Sequence, residues 1–253
     1  MNTKFYLPKN IFSQILISEI EDKSDLEIEF LPAALIVKEL SNTNDSIGLI
    51  PSMDLITNKE LYVSSEIGVS FNALLSNSYI HFKEEQETID ELFLKGDVSS
   101  NEVILSKILF NEFYDVEIKT TLLNKEVSDF NNNLLIIGDE NYEKELFLNG
   151  LSFAEEIIEL INAPYLNFVI ASSSEDAIKE FNSRHRNSLK NGHAENFEKL
   201  FPTFPQTSLD FLSVNIQHLV FDLEEQDREG ITQILQMPYY HRMIKDIIDV
   251  KFV

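Results

Sequence analysis

Cysteine and tryptophan are absent from this chain of 253 residues, and only seven glycines are present. Without cysteine the protein has neither disulfides nor thiolate chemistry, although this alone does not fix its redox compartment. The glycines are too few and too scattered for a phosphate-cradling loop or a dinucleotide-binding fingerprint, and no nucleophile elbow occurs. These absences exclude several common classes of enzyme site and direct attention to polar residues at the ends of strands and helices.

Long apolar runs are also absent, since none approaches the roughly 18 residues that a membrane-spanning helix requires. The segment Met1–Pro8 is too short and too polar for the apolar part of a signal peptide, and polar residues interrupt the segment Ile11–Ile20. We therefore expect a soluble cytoplasmic protein that binds no membrane. Hydrophobic residues make up 43% of the chain and aromatic residues 11%, so the sequence can build one large domain or two lobes of ordinary size.

Positive charge is scarce: 20 basic residues face 43 acidic ones, which gives a formal net charge of −23 at pH 7. This balance excludes nonspecific nucleic-acid binding and attraction to anionic membranes. It also opposes an anionic ligand, although screening over roughly 8 Å at physiological salt lets donors close to a site outweigh the distant surface. The acidic runs are most simply interpreted as solvated helix faces. The five histidines, which include His193 and His218, lack the spacing of a metal site. We expect no metal and no cofactor.

Strand and helix patterns alternate along the chain. Strands are predicted at 4–7, 25–31 and 45–50, with helices between them, and this alternation predicts mostly parallel sheets flanked by helices in an α/β fold. A second lobe is predicted at 81–173 as an insertion. The first lobe is then discontinuous, formed by residues 1–80 and 174–253, and a ligand cleft is expected between the two lobes.

Small hydroxyl side chains lie at two positions where such a cleft is expected. Ser52 follows an apolar strand that Pro51 ends, and strand ends line the ligand crevice of parallel sheets. Ser99 and Ser100 stand where a helix begins, and the free N–H groups of a helix start suit a carboxylate or a phosphate. The alternative is that Ser52 is an ordinary turn or cap residue and that Ser99 and Ser100 only cap the helix.

Two further segments carry polar candidates. Ser70 and Asn72 share one face of a predicted strand, which either opens onto the cleft or is exposed to solvent. Gly138 and Asp139 close a buried strand, where glycine allows a tight turn. Asp139 either contacts a ligand or caps the helix that follows.

In order and spacing, these segments resemble the menaquinone-biosynthesis family of chorismate dehydratase and 1,4-dihydroxy-6-naphthoate synthase, which acts in the futalosine pathway. The dehydratase branch is the more similar of the two, and the resemblance extends from about residue 30 to about residue 235. It implies a two-lobed fold like that of type II periplasmic binding proteins, with the ligand between the lobes.

The resemblance also implies the site residues. A catalytic role is implied for Asn72 and for Asn10. The family has an asparagine in its N-terminal loop, and in this chain either Pro8 or Asn10 takes its place. The family has a serine where this chain has Asn72. It has an arginine where this chain has Asn101 and a threonine where this chain has Glu102. The substrate-binding residues implied are Ser52, Ser70, Ser99, Ser100, Asn101, Gly138 and Asp139.

The implied activity is the elimination of water from chorismate to give 3-[(1-carboxyvinyl)oxy]benzoate. Because the ring becomes aromatic, the protein has only to orient the carboxylates and stabilise developing charge with neutral donors. No general base is evident, so a carboxylate of the substrate itself is the implied proton acceptor. The alternative is a divergent member of the family that binds a small carboxylate ligand and has lost catalysis.

Overall fold

The computed structural model describes residues 3–43, 45–84, 88–123, 132–189 and 197–253. Its strands, in chain order, are β1 (Thr3–Pro8), β2 (Leu26–Leu31), β3 (Ile47–Pro51), β4 (Tyr62–Phe71), β5 (Ser78–His81), β6 (Glu91–Gly96), β7 (Lys119–Leu122), β8 (Leu134–Ile137), β9 (Leu151–Ser152), β10 (Tyr165–Ser172), β11 (Leu219–Asp222) and β12 (Lys251–Phe252). Its helices are α1 (Ile11–Glu19), α2 (Ile36–Asn42), α3 (Ser100–Tyr114), α4 (Glu140–Glu143), α5 (Phe153–Ile161), α6 (Glu175–Leu189), α7 (Phe197–Leu200), α8 (Gln206–Asn215) and α9 (Glu225–Tyr240).

The larger sheet has seven strands in the order β11-β4-β10-β3-β1-β2, with β12 also paired to β4. Every residue of β3 and of β10 is buried, as expected for central strands that helices cover on both faces. The edge strand β2 instead alternates Leu26 and Ile28 with Glu27 and Glu29, so that its charged face meets solvent. This sheet and its helices form the larger lobe.

The smaller sheet has five strands in the order β7-β6-β8-β5-β9. β6 runs parallel to both β7 and β8, and Gly96 at the end of β6 lies opposite Ile137 at the end of β8. The four residues of β8 are buried. This sheet, with α3, α4 and α5, forms the smaller lobe.

The chain crosses between the lobes at positions that differ from the predicted limits of 81 and 173. β5 begins at Ser78 and already pairs with β8 and β9 of the smaller sheet. β10, which we placed in the inserted lobe, lies between β3 and β4 of the larger sheet and runs antiparallel to both. An apolar strand buried on both faces fits the centre of either sheet, so its sequence does not say which one it joins.

Most predicted elements are found, with local differences. The parallel pairing that the alternation predicts joins β1 to β2 and to β3, whereas β5, β10 and β11 run antiparallel to their neighbours. The stretch 140–148 is divided into α4 and a 3-10 turn, because Glu145 between them has a positive φ of 55°. Among the helices that the structure describes, none combines the length and the apolar character needed to cross a membrane.

Candidate functional site

The two lobes meet where strands of both sheets end, and we call this contact the interlobe junction. Its larger-lobe side follows β1, β2 and β3, and its smaller-lobe side follows β6 and β8. Three backbone N–H groups of the larger lobe donate to side-chain oxygens of the smaller lobe: Ile11 N to Asp139 Oδ1 at 2.8 Å, Ala33 N to Asp97 Oδ1 and Oδ2 at 3.0 and 3.1 Å, and Met53 N to Asn101 Oδ1 at 2.9 Å.

These N–H groups are available because each lies just after a strand, at the start of a helical segment. The first N–H groups of a helix have no partner within it. Since β1 is parallel to β2 and to β3, their carboxyl ends lie at the same edge of the sheet. The fold therefore presents three donors on one side of the junction.

Asn101 is the most extensively bonded side chain of the junction. It is completely buried, and in addition to accepting from Met53 it donates through Nδ2 to the backbone oxygen and to Oδ1 of Asn167, each at 2.7 Å. Asn167 lies on β10, so this one amide joins α3 of the smaller lobe to two segments of the larger lobe. An arginine at this position could not accept from Met53 N, because a guanidinium group has donors and no acceptor.

Ser52 is also fully buried, and its hydroxyl donates to the backbone oxygens of Leu166 and, at 3.1 Å, of Asn167. The predicted site residues Ser52 and Asn101 therefore meet at the same strand, β10. In the structure both use their polar atoms to hold protein segments together.

Ser99 is the N-cap residue of α3 and forms a capping box with Glu102. Its hydroxyl accepts from Asn101 N at 3.2 Å, and both its backbone N–H and its hydroxyl donate to Glu102 Oε2, at 3.0 and 2.7 Å. The capping interpretation of Ser99 is thus confirmed, and Glu102 supplies the acidic partner that a capping box requires. Burial raises the pKa of Glu102, and its hydrogen bonds to Ser99 oppose that rise.

Four buried serine hydroxyls make no direct hydrogen bond among the described residues, and two of the four belong to predicted site residues. These two are Ser70 Oγ on β4 and Ser100 Oγ in the first turn of α3. The Ser100 hydroxyl nevertheless has the Asp54 carboxyl of the larger lobe as its neighbour: its interaction with that carboxyl lowers the pKa of Asp54, although burial raises this pKa overall. A hydroxyl without a partner can still donate to a ligand, which distinguishes Ser70 from Ser52 and Ser99. The Ser100 hydroxyl differs from those two in that it is not held by a backbone oxygen or a capping box.

The two asparagines with implied catalytic roles lie in different surroundings. Asn10 is buried and caps α1, because its Oδ1 accepts from Ser13 N at 2.9 Å. Asn72 is exposed just after β4, with Oδ1 2.9 Å from His218 Nδ1, and its backbone N–H donates to the His218 oxygen. None of the junction hydrogen bonds given above involves Asn72.

Gly138 and Asp139 turn the chain at the end of β8. Gly138 has a φ of +96°, as the tight-turn interpretation requires, and its N–H donates to the oxygen of Asn77 at 2.8 Å. The suggestion that Asp139 caps α4 is wrong, since its side chain makes no capping bond there. Its carboxylate instead turns across the junction to Ile11.

Carboxyl groups accumulate at the junction, and burial raises the pKa of each. They are Asp54, Asp97, Glu102 and Asp139. Burial raises the pKa of Asp139 to about 6; Glu143 and Asp97 also raise it, whereas the Ile11 N–H and Lys9 lower it. A carboxyl that changes charge near pH 6 makes the stability of this contact depend on pH.

Asp139 is expected to make the protein less stable as the pH rises from about 4 to about 7. The proton is bound more tightly in the folded state, where the pKa is about 6, than in the unfolded chain, where it is about 3.9. The stabilisation is therefore complete below about pH 4 and is lost as the pH rises through 6, by roughly 1–3 kcal/mol. Urea unfolding of Asp139→Asn, which keeps an acceptor for Ile11, should show a flatter dependence on pH than the unchanged protein.

The matched control for this titration is Asp249→Asn, which removes an exposed carboxyl and should keep the original pH dependence. The other junction carboxyls contribute in the same direction, so the test is the difference between the two variants. Equal pH dependence in both variants would contradict the assignment to Asp139.

Metal ligands do not cluster in the part of the chain that the structure describes, where no group of three or more histidine, aspartate or glutamate side chains is placed to hold an ion. His193 lies outside the described residues. The histidine facing Asn72, His218, belongs to no such group.

No protein-family model matches this sequence, and no curated protein is significantly similar to it. Solved structures nevertheless resemble it over nearly its whole length. Protein AF1704 from Archaeoglobus fulgidus has a TM-score of 0.65 at 10% identity, covering 96% of this chain and 98% of its own. The ligand-binding component of an ABC-type import system from Staphylococcus aureus, solved with zinc bound, has a TM-score of 0.65 at 13% identity, covering 100% and 96%.

The periplasmic aliphatic sulphonate binding protein SsuA from Escherichia coli is a third similar structure, with a TM-score of 0.56 at 12% identity over 99% of this chain and 96% of that one. At such identities the similarity establishes the fold alone. The chain therefore has the two-lobed α/β fold of the type II periplasmic-binding-protein class, as predicted.

Four junction residues whose side chains are described above were not among the predicted site residues: Asp54, Asp97, Glu102 and Asn167. The sequence held a signal for one of them. Asp97 follows Gly96 at the end of an apolar strand, just as Asp139 follows Gly138. Asn167 lies inside the apolar strand β10, where nothing in the local pattern marks it as a partner of a residue 66 positions earlier.

Proposed function

We propose that this protein binds a small molecule bearing a carboxylate at the interlobe junction. The observation that carries the proposal is two buried hydroxyls, Ser70 Oγ, which has no partner among the described residues, and Ser100 Oγ, whose neighbour is the Asp54 carboxyl. The fold is shared with a sulphonate-binding protein and with the ligand-binding component of an import system. Neutral donors suit an anionic oxygen because they bind it without adding charge that must itself be desolvated.

The finer proposal is that this molecule is chorismate and that the protein dehydrates it. Support comes from the ordered segments that resemble the dehydratase branch, from Ser52 to Asp139. In this reaction a ring C–H bond and the ring C–O bond to the hydroxyl break, the hydrogen and hydroxyl leave as water, and the ring becomes aromatic. The described residues would act by orientation and by donating to the departing oxygen, with a substrate carboxylate accepting the proton.

Thermal unfolding with millimolar chorismate, and separately with 3-[(1-carboxyvinyl)oxy]benzoate, tests both levels of the proposal. A ligand present at about 100 times its dissociation constant adds roughly 2.7 kcal/mol of stability, which raises the midpoint by a few degrees. Chromatography of the same samples detects conversion. A shift with conversion supports the dehydratase, and a shift without conversion supports a binding protein.

The variant Ser100→Ala sharpens this test, because it removes a junction hydroxyl whose neighbour is the Asp54 carboxyl and leaves the backbone of α3 unchanged. Its matched control is Ser106→Ala, which removes a buried hydroxyl without a partner from the same helix. We expect the ligand-induced shift to fall in Ser100→Ala and to persist in Ser106→Ala. If neither ligand nor a series of small mono- and dicarboxylates shifts the midpoint of the unchanged protein, the proposal is overturned.

A further inference from the structure

The neighbouring strands β6 and β8 of the smaller lobe end in the same dipeptide, a glycine followed by an aspartate. Both glycines have positive φ, +110° at Gly96 and +96° at Gly138. Because β6 and β8 are parallel partners, with Gly96 opposite Ile137, the two turns lie side by side at one edge of the sheet. Asp97 and Asp139 therefore lie next to each other at the edge of the smaller lobe.

Both aspartates reach the larger lobe, and both bond there to backbone N–H groups. Asp97 accepts from Ala33 N through both oxygens, at 3.0 and 3.1 Å, and Asp139 accepts from Ile11 N at 2.8 Å. These partners are 64 and 128 residues away in the chain, so the bonds are contacts between lobes. A bond from an N–H to a carboxylate is about twice as strong as one between neutral groups.

The two contacts bring two like-charged carboxylates close together in a protein that is already strongly acidic. The protein carries 43 acidic residues, yet these two carboxylates are partly buried and near each other at the lobe contact. Glu143 of α4 adds to the negative charge around Asp139, and Lys9, just before α1, is the cation that offsets it. Attraction across the junction thus depends on the directed N–H bonds.

We infer that Asp97 and Asp139 form an interlobe latch, in which the carboxylates hold the smaller lobe on the larger one and so set how far the junction is exposed. The inference deepens the proposed function and rests on it for the identity of the site being covered. The latch differs from Asn101, whose bonds are buried within the packed contact, because Asp97 and Asp139 are still partly accessible at its margin. Loss of one carboxylate should raise the open fraction by about tenfold.

Hydrogen exchange and small-angle X-ray scattering on the double variant Asp97→Ala/Asp139→Ala test the latch without any ligand. We expect amide exchange at Ile11 and Ala33 to accelerate by about tenfold or more, and the radius of gyration to increase. The double variant Asp97→Asn/Asp139→Asn keeps a neutral side-chain acceptor at each position and should show a smaller acceleration than the alanine variant. The double variant Asp246→Ala/Asp249→Ala, which removes two exposed carboxylates, controls for net charge.

The single variants keep the test decisive if the double variant does not fold. Asp97→Ala should accelerate exchange mainly at Ala33, and Asp139→Ala mainly at Ile11. Unchanged exchange and an unchanged radius of gyration in a folded alanine variant would overturn the latch, and so would a uniform acceleration over the whole chain. Because these measurements use no ligand, their failure is separate from the absence of a thermal shift with chorismate, which overturns the proposed function instead.

Discussion

Replacing Gly96 with alanine is expected to destabilise the protein by about 4 kcal/mol or more, enough to unfold the smaller lobe. An added Cβ would lie 1.9 Å from the backbone oxygen of Ile137 and 2.9 Å from its carbonyl carbon. Ile137 belongs to β8, the partner strand of β6, so it cannot withdraw without breaking the pairing. The φ of +110° adds strain that a side chain rarely tolerates.

The matched control is Gly138→Ala, one residue past the end of the neighbouring strand β8. Its φ is similar, +96°, but a Cβ there would meet no atom within 4 Å. We therefore expect a loss of only about 1–2 kcal/mol, which is the conformational cost alone. Urea unfolding followed by circular dichroism measures both losses at one pH. Equal losses in the two variants would contradict the steric explanation.

The comparison also bears on the latch, because each glycine sets the direction of the aspartate that follows it. Where β6 ends at Gly96, the backbone lies in close contact with Ile137 of the partner strand. The turn before Asp139 has no such contact, since a Cβ at Gly138 would meet no atom within 4 Å. This difference fits the observation that Asp97 bonds to its N–H partner through both oxygens.

Local pattern was sufficient to predict most of the strands and helices. The alternation of Leu26 and Ile28 with Glu27 and Glu29 predicted the edge strand β2, and the apolar run that Pro51 ends predicted β3. The serine pair before an apolar helix predicted the start of α3, with Ser99 as its cap. These features depend on residues close together in the chain, where periodicity and capping rules apply.

Pairing between distant segments could not be predicted in the same way. β10 joins the larger sheet although it follows α5 of the smaller lobe, and its continuous apolar run would fit either sheet. The partners of Ser52 and Asn101 lie on this strand, so their roles depend on its placement. A polar side chain at a strand end signals that a partner is needed, and it does not say whether the partner is a ligand or the opposite lobe.

Asn101→Ala is expected to lower the free energy of unfolding by about 3–5 kcal/mol. The substitution removes three hydrogen bonds from a completely buried position and leaves Met53 N without an acceptor. Each buried group left unsatisfied costs about 1–3 kcal/mol, and Ser52 still donates to the Asn167 oxygen. Urea unfolding should show this loss against Asn111→Ala in the same helix, which we expect to cost under about 1 kcal/mol.

Asn101→Asp distinguishes the accepting role of the amide oxygen from the donating role of the amide nitrogen. A carboxylate still accepts from Met53 N, but it cannot donate to Asn167 and instead opposes the two oxygens there. We expect a loss at pH 7 at least as large as that of the alanine variant, with partial recovery below about pH 5 as the carboxyl takes up a proton and can donate again. Asn101→Ala should show no such recovery. A loss in either variant no greater than that of Asn111→Ala would mean that the lobes are joined chiefly by apolar packing, and that Asn101 is free to serve a ligand as the family resemblance implies.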